Sequence, residues 1–143
     1  MRRIERSALV MYSAEQMFAL VNDIAAYPQF MEGVSSTEII HADENMIEAR
    51  VDVSKAGIKQ SFVTRNRLEA PVAMYMELVK GPFSQFEGAW HFKALNDEAC
   101  KVSLELAFEF DNMILDLAAG AWFESVANQQ VDSLCERAKV VYL

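Results

Sequence analysis

Residues 111–142 read DNMILDLAAGAWFESVANQQVDSLCERAKVVY. Leu115, Ala118, Trp122 and Val126 lie on one apolar track, and Val131, Leu134, Ala138 and Val141 continue it. Gaps of three and four are the period of an amphipathic α-helix, not of a strand. At a rise of about 1.5 Å per residue, about 30 residues make a rod on the order of 45 Å long, enough to cross a small domain. Asp111, Asp116 and Glu124 come early and Arg137 and Lys139 late, the order that suits the helix macrodipole. Gly120 costs roughly 1 kcal/mol against alanine in a helix interior. It reads as a small residue needed for helix-on-sheet packing, with a kink or a close approach to something bound as the alternative.

A helix of that length needs a partner surface, and the preceding residues supply strands. Met46 to Ser54 alternates, with Ile47, Ala49, Val51 and Val53 on one face and Glu48, Arg50 and Asp52 on the other. That is the period of a half-buried strand. Gly57 to Leu68 puts Ile58, Gln60, Phe62, Thr64, Asn66 and Leu68 on one face and Lys59, Ser61, Val63, Arg65 and Arg67 on the other. Further strands are expected at Arg3 to Tyr12, Val34 to His41, Val72 to Val79, Phe83 to Phe92 and Lys101 to Phe110. Turn signals separate them at 43–45, 69–71, 81–82 and 96–97. Ser13 with Gln16 makes a capping box for a helix carrying Met17, Phe18, Leu20 and Val21. A short helical turn from Ile24 to Tyr27 is expected to stop at Pro28. The order is strand, two short helices, six strands and one long helix, an α+β fold.

At 143 residues the chain reads as one domain, 1–143, able to bury roughly 68–70% of its unfolded surface without metal or disulfide. Cys100 and Cys135 lack CxxC spacing and read as buried, reduced residues. The basic start, Met1 to Ser7, is followed by only five apolar residues, Ala8 to Tyr12, too few for a signal peptide or a membrane span. A cytoplasmic location is expected. The net charge of −8 disfavours non-specific nucleic-acid binding, DNA included, because phosphate contacts need clustered cations.

Catalytic and metal-ligating patterns are missing. His41 and His91 fall on different strands, and there is no H-x-x-x-H pair, G-x-S-x-G elbow or glycine-rich phosphate loop. No catalytic residue, metal ligand or cofactor is therefore assigned, and the chain reads as a non-enzyme. Its unusual content is apolar and soft: eight methionines, nine phenylalanines and two tryptophans. Met74, Met76, Phe86, Trp90, Phe108 and Trp122 are core fillers taken singly. Gln60, Thr64 and Asn66 on an apolar face would cost desolvation in a dry core, and a few polar groups among apolar walls describe an amphipathic small-molecule site. Lys55, Lys59, Arg65 and Arg67 form a basic stripe in an acidic chain. Pairing with Glu48, Asp52 or Glu77 explains it. The alternative is docking, through Lys59, Arg65 and Arg67, to an anionic partner such as ribosomal RNA or the lipid head groups of a peripheral membrane contact.

The segment Tyr12-Ser13-Ala14-Glu15-Gln16-Met17-Phe18-Ala19-Leu20-Val21-Asn22-Asp23-Ile24 with Tyr27-Pro28-Gln29-Phe30 resembles the start of the START-like coenzyme Q-binding proteins and their bacterial relatives, the ribosome association toxins. Gly57-Ile58-Lys59-Gln60-Ser61-Phe62, Gly81-Pro82-Phe83, Phe86-Glu87-Gly88 and Trp90-His91-Phe92 extend the resemblance along the chain. The resemblance implies a helix-grip fold, a curved antiparallel sheet of six to seven strands around the long C-terminal helix with a hydrophobic cavity between them. It also implies binding of ubiquinone or another isoprenoid lipid in support of respiration, or binding of the large ribosomal subunit so as to block subunit joining. The first is the leading expectation. Tyr27, Phe30 and Phe62 then join the cavity wall, and Trp122, Phe123 and Val126 face the sheet across a gap that side chains alone do not fill. The family's proline-rich loop is here Met31-Glu32-Gly33.

Overall fold

In the computed structural model, which describes residues 1–143, seven strands form one antiparallel sheet. They are β1 (Arg2–Val10), β2 (Val34–Ala42), β3 (Met46–Lys55), β4 (Ile58–Glu69), β5 (Ala73–Lys80), β6 (Phe83–Asn96) and β7 (Ala99–Phe110). The order across the sheet is β1-β7-β6-β5-β4-β3-β2. Strands β2 to β7 are a run of hairpins, and β1 closes the far edge against β7, Ile4 opposite Leu106. Ala56 and Gly57 both take positive φ in the β3–β4 turn, the geometry of a two-residue hairpin.

Helix α1 (Ala14–Asn22) and a 3-10 helix (Ile24–Gln29) carry the chain from one edge of the sheet to the other. The Ser13–Gln16 capping box is formed in both directions. Pro28 does not stop the second helix, which runs one residue past it. Proline's fixed φ fits a 3-10 turn, and its missing N–H goes unused there.

The C-terminal rod is bent. Helix α2 (Met113–Asn128) and helix α3 (Gln130–Val141) meet at Gln129, not at Gly120. The Gln130 Nε2 donates to the Val126 carbonyl at 2.9 Å, and a side chain inserted into the backbone ladder is a recognised cause of a kink. At Gly120 the guanidinium of Arg2 lies against the backbone, so a Cβ there would collide with Arg2 Nε. The same guanidinium reaches Asp116 at 3.8 Å and Glu124 at 3.7 Å. The close approach at this glycine is therefore made by the chain's own first strand.

The face α2 buries also differs from expectation. Ala119, Gly120, Phe123, Val126 and Ala127 point inward, while Ala118 is exposed and Leu115 and Trp122 are half-buried. Helix α3 keeps the expected face, Val131, Leu134 and Ala138, although Val141 is exposed. Residues 113–123 are apolar on nearly every side, so their spacing defines no single inward stripe.

Two packed clusters fill the grip. One joins Met17, Phe18, Met74, Trp90, Phe92 and Leu134. The other is built from Phe62, Phe83, Phe86, Phe108, Phe110 and Phe123. Cys100 is buried as expected, but Cys135 is only half-buried; burial raises the pKa of both thiols. No helix is long and apolar enough to cross a membrane.

Candidate functional site

Where the two clusters meet, a cavity of about 100 Å3 remains between sheet and helix. The pleat of β4 explains its chemistry. Phe62, Thr64, Asn66 and Leu68 alternate inward, and Thr64 and Asn66 are only 3% and 4% exposed. Both line the cavity, among Met76, Phe86, Trp90, Leu104 and Phe123. The Asn66 Oδ1 has no hydrogen-bond partner. A buried acceptor left unmatched costs about 1–3 kcal/mol, a cost that a water or a polar group of a ligand beside Asn66 would relieve.

Seven of the expected wall residues meet there: Tyr27, Phe62, Met76, Phe86, Trp90, Phe123 and Val126. Met74 and Phe108 are packed away from it, at 1% and 0% exposure. Phe30 lies outside, half-buried, with the Arg137 guanidinium 5.0 Å above its ring. Trp122 lies against the edge of the phenylalanine cluster, and its buried Nε1 has no partner. Phe123 meets Phe108, Phe83, Phe62 and Phe110 at centroid distances of 4.8, 5.3, 5.8 and 6.0 Å. On that side the gap is filled by rings. Ligand pockets commonly measure about 300–1,000 Å3, so the space left is small.

Sequence reasoning passed over Val51, Val53, Ile24, Met31 and Gln130, which also line the cavity. Gln130 and Met31 belong to its closure. Gln130 Nε2 donates to the Glu32 carbonyl at 2.8 Å, the Glu32 N–H donates to Ser133 Oγ at 3.2 Å, and the Ser54 N–H donates to the Gly33 carbonyl at 2.7 Å. Lys55 pairs with Glu32 at 3.3 Å. Gly33 has φ +82°, and a Cβ on it would come 2.8 Å from Val126 Cγ1. The loop Met31-Glu32-Gly33 is thereby fastened to both the helix bend and β3. The Tyr27 hydroxyl donates to the Val21 carbonyl; burial, with the Asp23 carboxylate adding to it, pushes its pKa well up.

On the opposite face of the sheet the basic stripe is largely neutralised. Arg65 pairs with Glu48 at 3.0 Å. Arg67 pairs with Glu69 at 2.7 Å, on its own strand, and stacks over Tyr75 at 4.4 Å. Asp52 is taken by Arg50. A broad depression of about 1,090 Å3 there holds Arg65 and Arg67 among Glu5, Glu77, Glu87 and Glu105. Its mixed charge and open shape suit a solvated face rather than an apolar ligand. His91 stands on this outer side, 5.7 Å from the Tyr75 ring, and no group of three His, Cys, Asp or Glu side chains converges to hold a metal.

Residues 10–135 match the family described as polyketide cyclase / dehydrase and lipid transport. A ribosome association toxin of Vibrio cholerae is 46% identical over 142 residues, covering 99% of each chain. A mitochondrial coenzyme Q-binding protein of Drosophila melanogaster is 21% identical over 138 residues, covering 94% of this chain and 57% of that one. Among solved structures, a START superfamily protein from Mycobacterium smegmatis superposes with a TM-score of 0.77 at 21% identity, over 97% of this chain and 98% of that one. An aromatase/cyclase from a Streptomyces species gives 0.75 at 16% identity, over 96% and 93%.

Proposed function

The chain belongs to the polyketide cyclase / dehydrase and lipid transport family, among the START-like proteins that include ribosome association toxins and coenzyme Q-binding proteins, and from that premise we propose that it is a non-enzymatic protein that binds the large ribosomal subunit and hinders subunit joining. The carrying observation is the depth of the likeness to the Vibrio cholerae toxin. An identity of 46% over 142 residues is about 65 positions, well above the 39 buried residues of this fold. The likeness therefore reaches the surface, where a macromolecular partner is recognised. The expectation that put ubiquinone first is reordered by this comparison and by a cavity of about 100 Å3.

The test is a sucrose-gradient profile from bacteria overproducing the protein. Joined ribosomes should fall and free subunits rise. An unchanged profile with the protein abundant and folded would sink the reading.

The unmatched Oδ1 of Asn66 favours a second reading, in which the same fold holds a prenyl lipid such as ubiquinone. Accommodating an isoprenoid chain requires the cavity to widen, and Met31, Met76 and the fastened loop 31–33 are the parts that would move. Mass spectrometry of lipid co-purifying with the protein, with titration of added ubiquinone, tests it. The absence of both would count against lipid binding.

A further inference from the structure

Helix α2 is apolar on its outward side as well as its inward one. Met113, Ile114 and Leu117 are 79%, 82% and 77% exposed, and Ala118, Ala121 and Ser125 continue the exposed track. Ile114, Leu117, Ala121 and Ser125 follow helical spacing, so three turns of solvent-facing helix carry no charge. A surface helix ordinarily turns polar residues to water, and a contiguous exposed apolar patch marks an interaction site.

The rim of this patch is acidic. Asp111 stands at its start, Asp116 and Glu124 flank it while sharing the single guanidinium of Arg2, and Glu109 meets the N-terminal amine at 3.6 Å. Asp116 Oδ1 is buried against Arg2, but one guanidinium offsets only one of the two carboxylates, so with Asp111 the rim stays net negative. In a chain of net charge −8, such a rim repels phosphates, whether of RNA or of anionic lipid, and it repels the same rim on a second copy. It attracts cations. The stripe from Lys55 to Arg67, the part of the chain suited by sequence to RNA, has three of its four cations held by the chain's own carboxylates. Proteins that hold RNA are basic because phosphate neutralisation requires it. A ribosomal surface therefore offers an acidic partner two components, and only the protein one is complementary.

We propose that the outward face of α2, centred on Ile114 and Leu117, docks a cationic, apolar-faced segment of a basic protein of the large ribosomal subunit. This rests on the ribosome-binding function proposed above. The apolar side chains of the segment pack between Ile114 and Leu117, and its lysines or arginines meet Asp111, Asp116 and Glu124.

The experiment has two arms. In the first, a photo-crosslinking benzoylphenylalanine replaces Leu117, the protein is irradiated with purified large subunits, and the adduct is identified by mass spectrometry. The double variant Ile114→Ser/Leu117→Ser and the variant Arg65→Glu/Arg67→Glu are compared with wild type by co-sedimentation. In the second arm, a synthetic Lys/Leu amphipathic helical peptide is titrated by fluorescence anisotropy against wild type and the double serine variant. The expected result is a crosslink to a basic ribosomal protein, at least tenfold weaker subunit binding by the serine variant, unchanged binding by the Arg65/Arg67 variant, and peptide binding that weakens with the serine pair. The serine variant should unfold at the wild-type temperature, since both side chains are exposed. A crosslink to RNA, to phospholipid or to a second copy overturns the proposal, as does wild-type affinity of the serine variant in both arms. If wild type itself fails to bind subunits, the ribosomal function falls, and the peptide arm alone decides the docking face: weaker binding by the serine pair upholds it and equal binding overturns it.

Discussion

Replacing Asn66 by leucine tests the chemistry of the cavity wall. Asn66 is 4% exposed, and its Oδ1 is buried without a partner. An unmatched buried acceptor costs about 1–3 kcal/mol. Leucine has the branched outline of asparagine and is larger, but the adjoining space of about 100 Å3 takes up the difference, so the exchange removes that penalty without overfilling, and its buried methyl groups add a favourable transfer term. Asn66→Leu should therefore stabilise the protein by about 1–3 kcal/mol. For a chain of this size that corresponds to a rise in Tm of about 3–9 °C. Urea unfolding followed by circular dichroism measures the gain, and an unchanged m-value shows that the folded and unfolded states keep their compactness. A loss of stability of about 1 kcal/mol or more would show instead that Oδ1 is satisfied in the purified protein.

Gly33→Ala should destabilise by about 1–3 kcal/mol in urea unfolding, since it places a Cβ at φ +82° and 2.8 Å from Val126 Cγ1; wild-type stability would show that the loop is not pressed against the helix. Phe123→Ala should cost about 3–5 kcal/mol, because four phenylalanine rings lose a common partner; a cost below 1 kcal/mol would contradict the packing. Partial desolvation opposes ionisation of Asp52, but hydrogen bonds from Ser36, Ser61 and Arg50 outweigh it and hold its carboxyl below the usual range. A folded pKa below the unfolded one gives stability that is complete above about pH 4 and lost as pH falls through the folded value. The stability gap between wild type and Asp52→Ala should be level from about pH 7 to pH 5 and close below pH 4; a gap that widens on acidification would reverse the sign.

Most of the sheet was legible because a half-buried strand writes its period into the residues. Thr64 and Asn66 fall inward simply because they alternate with Phe62 and Leu68; of the three polar residues read as the mark of a cavity, these two line it and Gln60 does not. The capping box at Ser13 was legible because it is local. Three features were not. The rotation of α2 was hidden because residues 113–123 are apolar on every side but that of Asp116, and only contact with the sheet selects Phe123 over Trp122. The bend at Gln129 depends on a side-chain amide capturing a backbone carbonyl. The occupant of the space beside Gly120 is Arg2, from the other end of the sequence, and no local pattern announces it. The size of the cavity belongs with these, since it is the remainder after two clusters have packed.

Binding of the large ribosomal subunit through the protein's own surface, as proposed above, can be followed with purified components. The most direct measurement mixes the purified protein with isolated large subunits, adds small subunits, and resolves the mixture on a sucrose gradient. The protein should migrate with the large subunit, and the joined ribosome peak should shrink in proportion to the protein added. Protein remaining at the top of the gradient, with full recovery of joined ribosomes, would contradict the proposal.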